Sequence, residues 1–288
     1  MPVSRFSLPV LASLFALYVI WGSTYFAIRI GVAQWPPLMM AGVRFLLAGA
    51  LLFGWCRWRG APWPTARQWA GSGLLGVLMP AIGNGLVTVA EKDVSSGVAA
   101  LMVATVPLFT TLFARFFGQK TSFRSWVGIG LGFVGILVLN QGSNLMASPS
   151  GAILLVLACL GWALGSAISK RVPQPSGQMS SAAMMLTGGV SLLLSSAATG
   201  ERLAAMPGLA GWGALLYLVV FGSIIAYTAY LYLLATVSPA VATSYAYVNP
   251  VIAVLLGMSL LGEHVGYYEW GGMLVIVTAV VLIAWKRR

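Results

Sequence analysis

Apolar residues in this chain come in long runs, interrupted at near-regular intervals by proline, glycine and basic residues. A helix needs about 20 such residues to cross a hydrocarbon core of about 30 Å, so the runs predict membrane-spanning helices. Boundaries set at the breakers give ten spans: 9–31, 37–56, 69–90, 95–117, 124–141, 150–170, 179–199, 209–234, 239–261 and 268–285. The joints carry residues that end helices, at Trp35-Pro36-Pro37, Pro62-Trp63-Pro64, Ser148-Pro149, Pro173-Gln174-Pro175, Pro207-Gly208 and Ser238-Pro239. The first run, Leu8 to Ile30, is longer than a signal-peptide core and lacks a small-x-small cleavage site, which predicts a retained helix.

Composition agrees with the pattern. Of 288 residues, 59% are hydrophobic and 7% charged, and the mean hydropathy is +0.92; soluble domains run near 25% charged. Sixteen Lys and Arg face five Asp and Glu, a formal charge of +11. In a soluble protein that excess would suggest nucleic acid. With the amino terminus inside, however, twelve of the sixteen fall on the cytoplasmic side: Arg5, Arg57, Arg59, Arg67, Arg115, Lys120, Arg124, Lys170, Arg171, Lys286, Arg287 and Arg288. Only Arg29, Lys92 and Arg202 lie on the far side, and Arg44 lies within a helix. The excess is therefore a topology signal that puts both termini in the cytoplasm, with contact to anionic lipid as a secondary effect. Cys56 and Cys159 both sit in apolar stretches, so neither a disulfide framework nor a zinc site is expected.

The chain also repeats itself. At an offset of 143, Trp69 falls on Trp212, Val94 to Ala99 falls on Val237 to Ala242, and Pro107 falls on Pro250. One residue further on, Gly118 matches Gly262, Trp126 matches Trp270 and Gly128 matches Gly272. Paired Trp and Pro at a near-constant offset predict an internal duplication, 9–141 and 150–285. Five spans per copy is an odd number, so the second copy enters the membrane from the opposite side. The expected fold is thus an all-α polytopic membrane protein of two inverted five-helix repeats, an architecture in which transporters bind substrate near the midplane.

Several residues are candidates for that site. Pro107 and Pro250 lie mid-span at equivalent positions and could be hinges, or static kinks tolerated by neighbouring helices. Trp21, Ser23, Thr24 and Tyr25 interrupt the first span, with Trp162 as a counterpart in the sixth; close packing is the plainer reading, a lined cavity the functional one. Arg44 is costly at mid-membrane, about 2.5 to 3.5 kcal/mol on insertion scales; it could hold an anionic group of a substrate, cap carbonyls, or pair with Glu91. Asn84 and Thr88, Tyr227 and Tyr230, and Tyr245 and Asn249 share helix faces at spacings of three or four, suiting either an amphipathic solute or interhelical hydrogen bonds.

His264 and Asp93 are the sole residues of their types. Aspartyl-protease, multi-histidine metal and serine–histidine chemistries all ask for more, so neither an enzyme nor a cofactor is expected. No phosphate-loop lysine follows glycine runs such as Gly71-Ser72-Gly73, and no ATPase partner is implied. Glu91 and Glu263 are acids close to a span, and five acids in the whole chain leave few candidates for proton coupling. A channel, or a structural or sensory protein without flux, are the remaining classes.

The Trp-Gly-Ser-Thr-Tyr run from Trp21, the run from Pro36 to Phe45, and Thr243 to Pro250 followed by Gly262-Glu263 resemble the EamA family of the drug/metabolite transporter superfamily, over nearly the whole chain. The resemblance implies a ten-helix bacterial inner-membrane exporter of amino acids, related metabolites or drugs, with a cavity between the halves. Amino-acid exporters among related proteins make amino acids the preferred substrate, and a multidrug exporter of lipophilic cations the alternative. In the first copy Gln119-Lys120 replaces the Gly-Glu pattern, so any role of Glu263 is not duplicated.

Overall fold

Each long apolar run forms a helix in the computed structural model, which describes residues 7–117, 123–141, 148–237, 242, 245–262 and 264–284. The helices are α1 (Leu8–Val32), α2 (Pro37–Trp58), α3 (Ala66–Ala90), α4 (Ser96–Val103 and, after a break, Val106–Phe116), α5 (Phe123–Asn140), α6 (Pro149–Arg171), α7 (Gln178–Ala198), α8 (Leu209–Thr236), α9 (Tyr245–Leu261) and α10 (Tyr267–Ala284). No strand occurs among the described residues. Seven helices, α1 to α4 and α6 to α8, are long and apolar enough to cross a membrane; α9 and α10 hold shorter apolar stretches, Val248–Leu260 and Trp270–Ala279. The chain is therefore a polytopic membrane protein. Arg5, Gly118, Gln119, Lys120, Thr243, Ser244, Glu263, Lys286, Arg287 and Arg288 lie outside the described residues.

Local chemistry sets the helix ends. Pro occupies the first turn of α1, α2 and α6, where its missing N–H costs nothing. At α3, Gln68 N donates to Thr65 Oγ1 at 3.3 Å while Thr65 N donates to Gln68 Oε1 at 2.9 Å, a reciprocal cap. The ends of α2 and α7 are built alike. Gly60 and Gly200, at φ of 83° and 71°, turn the chain left-handed. Ala61 N then reaches back to Cys56 O at 2.9 Å, and Glu201 N to Ser196 O at 3.0 Å, closing the last turn over its free carbonyls.

Helix packing occurs in exchanged couples when α1–α5 is set against α6–α10. The pairs α2–α7, α5–α10 and α4–α9 map onto themselves, while α1–α8 is matched by α6–α3, α1–α9 by α6–α4, and α2–α8 by α7–α3. Glycine permits the closest of these contacts. A Cβ on Gly189 of α7 would stand 2.6 Å from Leu46 N of α2, and one on Gly49 of α2 would stand 2.7 Å from Leu186 N of α7; backbones this near leave no room for a side chain.

The α2–α7 pair is also tied at one end by a carboxylate. Glu201, just past α7, accepts from Leu38 N at 3.1 Å and Met39 N at 2.8 Å in the first turn of α2, and from Ser196 Oγ at 2.8 Å. It thus satisfies amides that a helix start leaves open and places negative charge at the positive end of the helix dipole. Glu201→Ala is expected to cost about 0.5–2 kcal/mol, the range for loss of a helix cap, and to lower the melting temperature of the detergent-purified protein. An unchanged melting temperature would mean that the tie carries no stability.

Candidate functional site

Three helices widen into π-helical turns near their middles: α1 at Leu17–Trp21, α3 at Val77–Gly85 and α8 at Leu218–Ile225. In α3 the cause is visible in the sequence, since Pro80 lies inside the segment and cannot donate to the ladder. Wide turns redirect carbonyls and side chains inward. In α8 the turn offers Gly222 O to Trp21 Nε1 at 3.1 Å and Ser223 Oγ to Arg44 Nε at 2.8 Å. In α1, the Asn249 carboxamide, with its NH2 turned toward them, donates to Leu17 O and Tyr18 O, both at 3.3 Å, and to Tyr245 O at 3.1 Å.

Around these turns five rings meet. Trp21 of α1 and Trp162 of α6, equivalent positions in the two halves, pack edge to face with centroids 5.5 Å apart. Tyr227, Tyr230 and Tyr245 close on Trp21 at 6.1, 5.1 and 5.0 Å. Trp162 also lies against Gly83 in the wide turn of α3, where a Cβ would stand 2.8 Å from its ring. Beside the cluster is a cavity of about 50 Å³ lined by α1, α3, α4, α6 and α9. The Trp162 indole lines it and is 7% exposed; its Nε1 makes no hydrogen bond of good geometry, but lies within interaction range of the Tyr230 and Tyr245 hydroxyls.

Seven of the residues expected from the sequence line this cavity: Trp21, Thr24, Tyr25, Asn84, Trp162, Tyr245 and Asn249. Five do not. Ser23 turns to α8, where its hydroxyl and that of Tyr217 are 2.6 Å apart. Thr88 donates to Asn84 O at 2.8 Å within its own helix. Tyr227 donates to Met184 Sδ at 3.3 Å, and the Tyr230 hydroxyl lies 3.1 Å from Ser166 Oγ; both rings belong to the cluster without reaching the cavity. Arg44 is 2% exposed, with its guanidinium 4.7 Å from the centre of the Phe45 ring. The rest of the wall is apolar and gave no sequence signal: Ile28, Gly83, Val87, Val103, Val106, Ala158 and Cys159, the last with its Sγ 3.3 Å from Met102 O.

The mid-span prolines behave differently. α4 breaks at Ala104–Thr105, and Pro107 stands in the first turn of its second piece. Pro250 lies inside α9, which continues through it. The Asn249 carboxamide bonds Tyr245 O one turn back, beside the position where Pro250 leaves the ladder short of a donor.

A bundle of apolar helices packed in exchanged couples around a polar, aromatic cavity is the architecture of a membrane transporter. A family model described as the EamA-like transporter family matches residues 8–141 and again 149–285. The chain belongs to that family. It is 55% identical over 277 residues to the uncharacterized inner membrane transporter YedA of Escherichia coli (strain K12), covering 96% of this chain and 90% of that protein. It is 26% identical over 247 residues to the uncharacterized transporter YdfC of Bacillus subtilis (strain 168), covering 85% of this chain and 80% of the other. A solved crystal structure matches at a TM-score of 0.70 and 18% identity, over 97% of this chain and 98% of that one, and so shares the fold. The protein is a multi-pass inner-membrane transporter of the EamA type.

The Arg44–Ser223 bond yields a test of the wide turn in α8. Ser223→Ala removes the acceptor of a buried charged donor, and bonds to charged groups are worth about 1.5–3 kcal/mol. The variant is expected to unfold at lower temperature than the native protein in the same detergent. Ser259→Ala, whose exposed hydroxyl bonds Leu255 O at 2.6 Å in its own helix, is expected to leave the transition unmoved.

Proposed function

We propose that the protein is a secondary transporter exporting amino acids or related small metabolites by alternating access between two inverted five-helix repeats, residues 9–141 and 150–285. Ten membrane crossings with both termini in the cytoplasm complete the reading. The two matches of the family model, the exchanged packing couples and the one-sided distribution of Lys and Arg support it.

The observation that carries the substrate class is the Trp162 indole in the cavity wall, whose Nε1–H has no hydrogen bond of good geometry and sits beside the Tyr230 and Tyr245 hydroxyls. A buried donor without a partner is costly unless a ligand supplies the acceptor, and an amino-acid carboxylate does so. Among the described residues lining the cavity there is no acid, whereas a multidrug exporter of lipophilic cations would be expected to place one there. That second reading retains one point in its favour, the cluster of aromatic faces, which attract cations.

At about 50 Å³ the cavity has room for a few waters and is well below the roughly 300–1,000 Å³ of pockets that hold small ligands. Binding therefore requires the halves to part. The wide turns of α3 and α8, which sit at equivalent places in the two halves, are the positions best suited to absorb that motion, together with the break before Pro107; Pro250, in a continuous helix, is the hinge candidate with less local freedom.

Purified protein in proteoliposomes, offered a panel of radiolabelled amino acids with and without a pH gradient, is expected to show saturable uptake of some members above protein-free liposomes. Trp162→Phe, which keeps a ring and removes the donor, is expected to raise KM about fivefold, the value of one hydrogen bond near 1 kcal/mol, with the folded protein retained. Movement of lipophilic cations and of no amino acid would give the lead to the second reading. Absence of flux for either class would defeat the transport substrate assignment altogether.

A further inference from the structure

A second cavity, of about 700 Å³, lies away from the aromatic cluster on the flank of the bundle. Its wall on α8 is a broad face formed by Ile224, Ile225, Thr228, Ala229, Leu231, Tyr232, Leu234 and Ala235, without Tyr227 or Tyr230. The other walls come from the start of α1, Leu52 of α2, the end of α6, the connection at Gln174 and Pro175, and the first turn of α7. Ile225 and Tyr232, at 41% and 37% exposure, stand at the lipid-facing surface.

Three features give this cavity a polar end. Lys170, which precedes Arg171 in the last turn of α6, lines it and is exposed. The first turn of α7 also lines it, and its cap residue Gly177 has no side chain, so no side-chain cap is made. That leaves the positive end of a 21-residue helix open toward the cavity. Ser181, one turn further in, is 1% exposed and its Oγ has no hydrogen-bond partner; Thr228 Oγ1, across on α8, is likewise buried without one. Ser72 Oγ is a third such hydroxyl among the described residues, outside this cavity; others bond a carbonyl three or four residues back, as in Thr24, Thr105, Ser166 and Thr187. No acid lines the cavity among the described residues.

The dimensions fit one leaflet. From Ala235 to Ile224 the cavity follows α8 for about 16 Å at 1.5 Å per residue, roughly half of a hydrocarbon core of about 30 Å. The polar end is at the helix ends, where headgroups lie, and the remainder is apolar. We propose that this flank pocket binds an anionic phospholipid, with the headgroup at Lys170 and the open first turn of α7, the ester region near Ser181, and an acyl chain running inward along Leu231, Thr228 and Ile225. The assignment rests on the membrane fold and is independent of which solute is transported.

The test is native mass spectrometry of the full-length, detergent-purified protein titrated in turn with phosphatidylglycerol, phosphatidylcholine of the same chains, and dodecyl phosphate. Phosphatidylglycerol is expected to bind about fivefold more tightly than phosphatidylcholine, the value of one Lys near an anionic headgroup, and Lys170→Gln is expected to bring the ratio close to one. Ile225→Trp, which fills the mouth from an exposed position, is expected to lower retention of both lipids. Because Lys170 is exposed, its variant keeps the proposal testable even where Ile225→Trp fails to fold. Equal binding of the two lipids by the native protein, or undiminished phosphatidylglycerol binding by folded Ile225→Trp, would overturn it. So would binding of dodecyl phosphate without phosphatidylglycerol, which would assign the pocket to a free anionic amphiphile.

Discussion

Hydrocarbon supplies no hydrogen bonds, and the chain answers that constraint at every level. Hydroxyls fold back on carbonyls of their own helices, Glu201 closes the open start of α2, and Asn249 takes up carbonyls beside the wide turn of α1. Arg44, the most costly side chain to bury, is held between Ser223 and the face of Phe45. Against such thorough pairing, the few buried polar atoms left without a partner carry information. Trp162 belongs to the wall of the central cavity and Ser181 and Thr228 to the wall of the flank cavity, while Ser72 lines neither.

Duplication supplies the frame and divergence supplies the chemistry. Equivalent tryptophans meet at the centre, but Trp21 donates to Gly222 O on the wide turn of α8 whereas Trp162 rests on Gly83 of α3 and makes no hydrogen bond of good geometry. At the offset of 143, Tyr245 stands where the first copy has Met102, Asn249 where it has Val106, and Tyr227 where it has Asn84. α4 accordingly gives the cavity an apolar wall, Val103 and Val106, and α9 the polar wall facing it, Tyr245 and Asn249. The cavity thus has one polar and one apolar wall although the helices around it pack in exchanged couples.

The wide turns connect neighbouring helices. Extra residues in a turn leave carbonyls out of register, and here those carbonyls are bonded by side chains from other helices, Trp21 to α8 and Asn249 to α1. Such bonds tie the wide turns to neighbouring helices, so a few side-chain contacts hold the bundle together at these joints.

Sequence alone determined which segments are helical and roughly where they end, because a run of apolar residues bounded by Pro, Gly and charge has one solution in a membrane. It also pairs Trp69 with Trp212 and Pro107 with Pro250 at one offset, and the family model matches the chain twice. Seven of twelve site candidates were legible as polar or aromatic residues at helical spacing in apolar surroundings. What tertiary structure decided is the rotation of each helix. In a segment apolar all round, no hydrophobic face says which side meets the axis, so Thr88 and Ser23 could not be told from Thr24, and the lining residues Val103, Val106 and Cys159 were silent. Nor does a proline announce its effect: Pro80 lies in a wide turn, Pro107 follows a break, and Pro250 sits in a continuous helix. The difference lies in the partners that neighbouring helices bring to the freed carbonyls, and those are known only once the helices are packed.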